Sequence, residues 1–176
     1  MTIYSDYLGY KVVDVITGFT GIATQIVEQL NGNVQCTIQP RVNDENSTSY
    51  PDAIGLDIHT IKVVEDAISE HFKEPEFLVD VKLGQCVRDM ATKFEGIATD
   101  RAIYLNGCVF YHAIPKFRDT SILGDNPSGS WISQNRIEVV DDGIIKKAKV
   151  PAPSEDGSPA PGGPFTRKPA NKAHRG

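Results

Sequence analysis

The chain is short of cysteine, tryptophan, basic charge and long apolar runs, and each shortage removes a class of protein. Its three cysteines, Cys36, Cys86 and Cys108, are an odd number without Cys-x-x-Cys or zinc-ligand spacing. A secreted disulfide framework and a structural zinc site are thereby disfavoured. No stretch approaches the ~20 consecutive apolar residues of a membrane helix, and Met1 to Lys11 lacks the apolar centre of a signal peptide. Lys and Arg number 18 against 23 Asp and Glu, a net charge of −5, so the broad positive field of a phosphate-binding protein is missing. The glycine-containing turns lead into no Gly-Lys-Ser/Thr, which excludes a phosphate loop. What is present is 40% hydrophobic residues, enough for a packed core in one ordinary domain or two very small ones. These features describe a soluble, mildly acidic intracellular or virion protein.

The charge is unevenly spread. Residues 151–176 hold six of the eleven prolines and one large apolar residue, Phe165. Such a stretch buries too little surface to offset its ordering entropy, so an extended tail is expected. Four basic against two acidic residues give this tail +2; the remaining body carries 14 against 21, or −7.

Within the body lies a repeat. Residues 8–40 (LGYKVVDVITGFTGIATQIVEQLNGNVQCTIQP) align without gaps on residues 83–115 (LGQCVRDMATKFEGIATDRAIYLNGCVFYHAIP), sharing 15 of 33 positions at an offset of 75. A one-residue shift then aligns Ile61–Asp66 with Ile137–Asp142. The body is a duplicated unit of roughly 65 residues, with boundaries at 1–66 and 81–145. Residues 67–80 form the linker and 146–176 the extended Pro-rich tail.

Each copy reads as short strands and tight turns. A strand around Val12 or Val87 ends at Thr17-Gly18 or Thr92-Lys93. A second strand starts at Phe19 or Phe94, and its Gly21 or Gly96 suggests a bulge or a close backbone approach. Asn31-Gly32 and Asn106-Gly107 signal hairpins of type I′. Val34–Ile38 and Val109–Ile114 alternate as half-buried strands do before Pro40 and Pro115. A long polar loop and a last short strand on Ile61–Val63 or Ile137–Val139 complete the unit, and Trp131 to Val140 reads as strand. Helical spacing competes over Ile54–Ile68, and a short linker helix over about 64–72 is compatible with the pattern. The expected fold is mainly β: two tandem small SH3-like β-barrels, closed so that few edges remain exposed, joined by the linker and followed by the tail. A unit this small is marginal alone.

Catalytic readings are weak. Asp14 and Asp89 are paired by the repeat, but each stands three residues before a threonine, where its carboxylate can hold a turn. His59, His71, His112 and His174 have no i, i+4 pairing and no counterpart in the other copy, so no metal set emerges. Cys108 lacks a basic flank and reads as a small apolar strand residue. No catalytic residue, metal ligand or cofactor is expected, and the protein is read as a non-enzyme. Binding is the remaining role. Tyr, Trp and Arg dominate interface energetics, which makes Arg101, Tyr104 and Trp131, with Phe110, the candidate anchors in the second unit. Phe165, Arg167 and Lys168 are candidate anchors in the tail.

The pattern Leu-Gly-x-x-Val-x-Asp-x-x-Thr-Gly-Phe-x-Gly-Ile-Ala-Thr, followed by Tyr-Leu-Asn-Gly-Cys, resembles a family of small tailed-bacteriophage proteins that carry one such unit and a Pro-rich tail. Residues 83–115 match best, through Arg101, Tyr104 and Cys108; the first copy has Ile26, Gln29 and Asn33 there. A weaker likeness is to the KOW motif of SH3-like barrels. The resemblance implies a phage origin; tandem non-enzymatic barrels with an extended arm then suggest a virion structural protein, a capsid-decoration, minor-capsid, neck or tail component bound to other virion proteins. Its expected location is the virion, after assembly from the host cytoplasm, with homo-oligomers inside a symmetric assembly. Two alternatives are a soluble phage-encoded binder of a host factor or signalling molecule and a KOW-like accessory protein that binds nucleic acid. The −7 body disfavours the last, and no membrane association is expected.

Overall fold

Alternation of apolar and polar residues sets the strands. In the first copy these are β1 (Tyr10–Asp14), β2 (Thr20–Gln29), β3 (Val34–Gln39), β4 (Ile54–Asp57) and β5 (Ile61–Asp66). The second copy repeats them as β6 (Cys86–Asp89), β7 (Glu95–Tyr104), β8 (Val109–Ile114), β9 (Ser130–Ser133) and β10 (Ile137–Asp141). In β8, Val109, Tyr111 and Ala113 are buried and the intervening residues partly exposed, the period-2 signature of a strand with one face on the core. This computed structural model describes residues 3–42, 49–116 and 128–145, all within the unit Met1–Lys146. Phe165, Arg167 and Lys168 lie outside the described residues.

The protein is mainly β, and its connectivity is the same in both halves. β1 to β4 form an antiparallel meander, a 3₁₀ turn (Ile58–Thr60) follows, and β5 returns antiparallel to β1. β6 to β10 repeat this with a 3₁₀ turn at Gln134–Arg136. Each turn is held by the residue before it: Asp57 Oδ1 accepts from His59 N at 2.9 Å and Ser133 Oγ from Asn135 N at 3.4 Å. Residues 131–140 are therefore two strands divided by a turn rather than one. Helical spacing over 54–68 resolves into β4, the turn and β5, and the linker carries a 3₁₀ turn at Ser69–His71.

Two expectations need correction. The hairpin loops are not type I′, because among the described residues only Lys93 has positive φ without being glycine. Instead Gly32 (φ 87°) and Gly107 (φ 79°) are left-handed after two ordinary residues, and the Gly32 and Gly107 N–H groups donate to Gln29 O and Tyr104 O at 2.9 Å. This is a type I turn with a glycine bulge, in which the asparagine side chain accepts from the residue after glycine. The second correction concerns closure. The ten strands form one antiparallel network that is not closed: among the described residues β4 pairs only with β3 and β5 only with β1, likewise β9 with β8 and β10 with β6, and β2 pairs with β7 to join the halves.

That pairing has two-fold symmetry. It runs from Gln25–Tyr104 to Gln29–Asp100, and its central pair is Val27–Ala102, equivalent positions of the two repeats. The flanking bonds obey the same symmetry: Leu30 N donates to Thr99 O at 2.7 Å and Leu105 N to Thr24 O at 3.0 Å. Such a self-complementary contact is usual between identical subunits; here it lies within one chain. One buried cluster draws on both halves, and Ile26 and Ile103, paired across the seam, are fully buried. Each contributes about 1.5–3 kcal/mol of burial.

β2 and β7, ten residues each, serve two surfaces. Their first residues pair with β1 or β6, and their later ones cross the seam. At Thr24 and Thr99 the register against β3 and β8 slips by one residue. Gly21 and Gly96 precede these bulges at a close backbone approach: a Cβ on Gly96 would stand 2.6 Å from Ile114 O, and one on Gly21 would overlap Gln39 O. The result is a continuous six-stranded surface in the order β4-β3-β2-β7-β8-β9.

Candidate functional site

The six-stranded surface has one face on the core and one outward. Register and alternation put Asp100, Ala102 and Tyr104 of β7 on the outer face beside Phe110 and His112 of β8 and Trp131 and Ser133 of β9. Tyr104 is 37% and Trp131 43% exposed. The rings form a diagonal stripe. Tyr104 meets Phe110 edge-on (centroids 5.6 Å apart, 73°), and His112 lies tilted against Trp131 (5.1 Å, 43°). Gly129 leaves room for this, since a Cβ there would overlap the His112 ring.

The two-fold related positions in the first unit are Gln29, Gln35, Thr37 and Gly55, opposite Tyr104, Phe110, His112 and Trp131 respectively. The backbone is duplicated, yet one half of the outer face carries rings and the other carries amides and a hydroxyl. Even the polar contact at the bulge has been rebuilt: Thr37 Oγ1 donates to Gln25 Oε1 at 3.0 Å in the first unit, and His112 Nδ1 lies 3.2 Å from Asp100 Oδ2 in the second.

Thr99, Asp100 and His112 bring a hydroxyl, a carboxylate and an imidazole together, and their geometry decides what they can do. Thr99 Oγ1 donates to Asp100 Oδ2 at 2.7 Å, and both groups approach the same nitrogen, His112 Nδ1, at 3.2 Å. A nucleophile–base–carboxylate relay needs the hydroxyl and the carboxylate on opposite imidazole nitrogens. The cluster instead fixes the His112 ring and engages the carboxylate. Beside it, Gln29, Leu30, Asn31, Thr99 and Asp100 line an open hollow of about 360 Å³.

Of the residues expected at an interface, Tyr104 and Trp131 share this face and Arg101 does not. Arg101 points the other way, into the seam, where Nε donates to Glu28 Oε2 at 2.7 Å and Nη2 to the same oxygen. Its guanidinium lies 5.1 Å over the Phe77 ring, and Tyr4 Oη donates to Glu28 Oε1 at 2.7 Å. Burial and the Glu28 bond push the Tyr4 hydroxyl well up, while burial works against the Arg101 cation and Glu28 keeps it charged. Asp100 and His112 were not among the expected anchors. Differences between the copies did not single them out, since 18 of the 33 aligned positions differ.

Asp14 and Asp89 are buried and hold turns. Asp14 Oδ2 accepts from Thr17 Oγ1 at 2.6 Å and Thr17 N at 2.9 Å; Asp89 accepts from Ala91 N and Thr92 Oγ1, both at 3.0 Å. The Thr17 and Thr60 hydroxyls bring the Asp14 carboxyl down to about 2. Cys36 is buried, which pushes its thiol up to about 12, and Cys86 is buried too. Cys108 is an exposed thiol, contrary to the strand reading, because it precedes β8 at the hairpin turn. Among the described residues no group of three or more His, Cys, Asp or Glu side chains is placed to hold a metal ion. No protein-family model, no curated protein and no solved structure matches the chain.

Proposed function

We propose that this protein is a non-enzymatic binding component of a tailed-phage virion, built from two fused SH3-like units that sit among capsid, neck or tail proteins. The unit assignment is supported by the strand order, with a meander of four strands, a 3₁₀ turn and a fifth strand returned to the first. The phage setting rests on the resemblance of the Gly-Ile-Ala-Thr and Tyr-Leu-Asn-Gly-Cys segments. One observation carries the binding role: a duplicated fold whose shared outer face has become aromatic in one copy only. A duplicated scaffold that presents rings on this face in one copy and amides in the other is suited to recognition by the aromatic copy. Mass spectrometry of purified particles tests the setting. A fixed copy number per particle is expected, and absence from particles would overturn it.

A second reading, a soluble binder acting in the infected cell, is favoured by the Asp100–His112–Trp131 cluster, which could grip one small ligand. It requires absence from particles and a ligand that raises the melting temperature of the purified protein. Nucleic-acid binding through this face is poorly supported, since its outward positions include Asp57 and Asp100 and no Lys or Arg among the described residues.

A further inference from the structure

The chemistry of the outer face narrows its occupant. Three kinds of group meet there: exposed rings (Tyr104, Trp131), planar amides and a hydroxyl (Gln25, Gln35, Thr37), and the Asp100–His112 pair. In register, a row of outer-face positions runs from Asp57 and Gln35 through Val27 and Ala102 to Phe110 and Ser133; Ala102 at the seam is fully buried, so the exposed platform is the aromatic half, with Gln25 beside Tyr104 at its edge. With strands ~4.8 Å apart and outward residues ~6.8 Å apart along them, Tyr104 and Trp131 stand about 16 Å from each other along the diagonal. That is a site for an extended chain rather than for one ring.

Charge then selects among chains. Among the described residues the face offers a phosphate or sulfate polymer two carboxylates and no Lys or Arg, which disfavours an anionic chain. A basic peptide would find Asp57 exposed but Asp100 already engaged by Thr99 and His112. An uncharged carbohydrate meets neither obstacle. Its ring faces present C–H groups to aromatic rings, and its hydroxyls both donate to and accept from amides and imidazole.

We propose that the outer face of β2-β7-β8-β9 binds an uncharged oligosaccharide chain, stacked on Trp131 and Tyr104 and hydrogen-bonded by His112 on one side and by Gln25 on the other. The site does not depend on the virion reading. Particle proteomics and the binding test below fail separately.

Trp131 is the sole tryptophan of the chain, so its fluorescence reports on this face directly. The full-length protein is titrated with neutral hexasaccharides based on glucose, galactose and N-acetylglucosamine, with a heparin hexasaccharide, an oligo-dT and an Arg-rich peptide as comparisons. A saturable blue shift with at least one neutral hexasaccharide, and none with heparin or oligo-dT, is the expected result. Tyr104→Ala should weaken binding by about tenfold. Trp131→Ala, followed by calorimetry, should do the same, while melting temperatures stay close to wild type because both rings are substantially exposed. No response to any neutral hexasaccharide overturns the proposal. So does a response to the Arg-rich peptide alone, or saccharide binding that survives both substitutions.

Discussion

The seam between the repeats can be tested by restoring its symmetry. Two-fold pairing sets Ile26 against Ile103 on one side of Val27–Ala102 and Glu28 against Arg101 on the other. Glu28 is thus the counterpart of Ile103, and Arg101 of Ile26. The Glu28 and Arg101 side chains are 21% and 27% exposed, so the pair is largely out of water. Arg101→Ile leaves Glu28 with the Tyr4 hydroxyl, and Glu28→Ile leaves Arg101 with the Phe77 ring and the neighbouring Tyr4 and Tyr111 hydroxyls but no carboxylate. Hydrogen bonds to charged groups contribute ~1.5–3 kcal/mol, and a half-buried charge without its partner adds desolvation cost. Each single substitution is therefore expected to cost about 2 kcal/mol. The double substitution reproduces the isoleucine pair found across the two-fold axis. It removes both charges together, so it should cost about 1 kcal/mol or less, mainly for the Tyr4 hydroxyl, against the ~4 of the summed singles. Urea unfolding followed by circular dichroism, with the slope unchanged among the four proteins, measures the cycle. Additive singles, or an Arg101→Ile loss below about 0.5 kcal/mol, would refute the claim that this pair joins the two halves.

Acid should destabilise the fold in a defined window. Asp14 is brought down to about 2 by the Thr17 and Thr60 hydroxyls, Asp66 is lowered by Ser69, and Asp89 is lowered by Ala91 N–H and Thr92 despite burial. Depressed carboxylates stabilise fully above their unfolded value near ~4. Stability should therefore fall as pH drops from ~4 towards 2, and Asp14→Asn should flatten the curve in that interval. Lys93 occupies a left-handed position (φ 63°) where the first copy has Gly18. Relief of ~1–2 kcal/mol of strain, less ~0.4–1 of added unfolded-state entropy, makes Lys93→Gly stabilising by about 0.5 kcal/mol in the same unfolding assay. Gly96→Ala should instead cost ~1–3 kcal/mol, because the added carbon meets Ile114 O at 2.6 Å. In native protein a thiol reagent should modify Cys108 rapidly, while Cys36 and Cys86 react only on unfolding.

The duplication, the strands and the turn positions were legible in the sequence because their causes are local. Period-2 alternation marks β3 and β8, glycine marks the left-handed turn residues, and Asp14 and Asp89 precede the threonines that bind them. The turn type was misread, since Asn-Gly serves type I′ loops and glycine-bulge loops alike. The pairing of β2 with β7, the shared core and the face on which each anchor lies were decided by tertiary structure. The Thr99 bulge shows why. Ala98 is buried, and strict alternation from it would turn Tyr104 inward and Arg101 outward. The extra residue reverses that parity, so Arg101 enters the seam and Tyr104 joins Trp131 on the open face. A strand's composition determines that it has two faces; which residues occupy them depends on register, and one bulge is enough to exchange them.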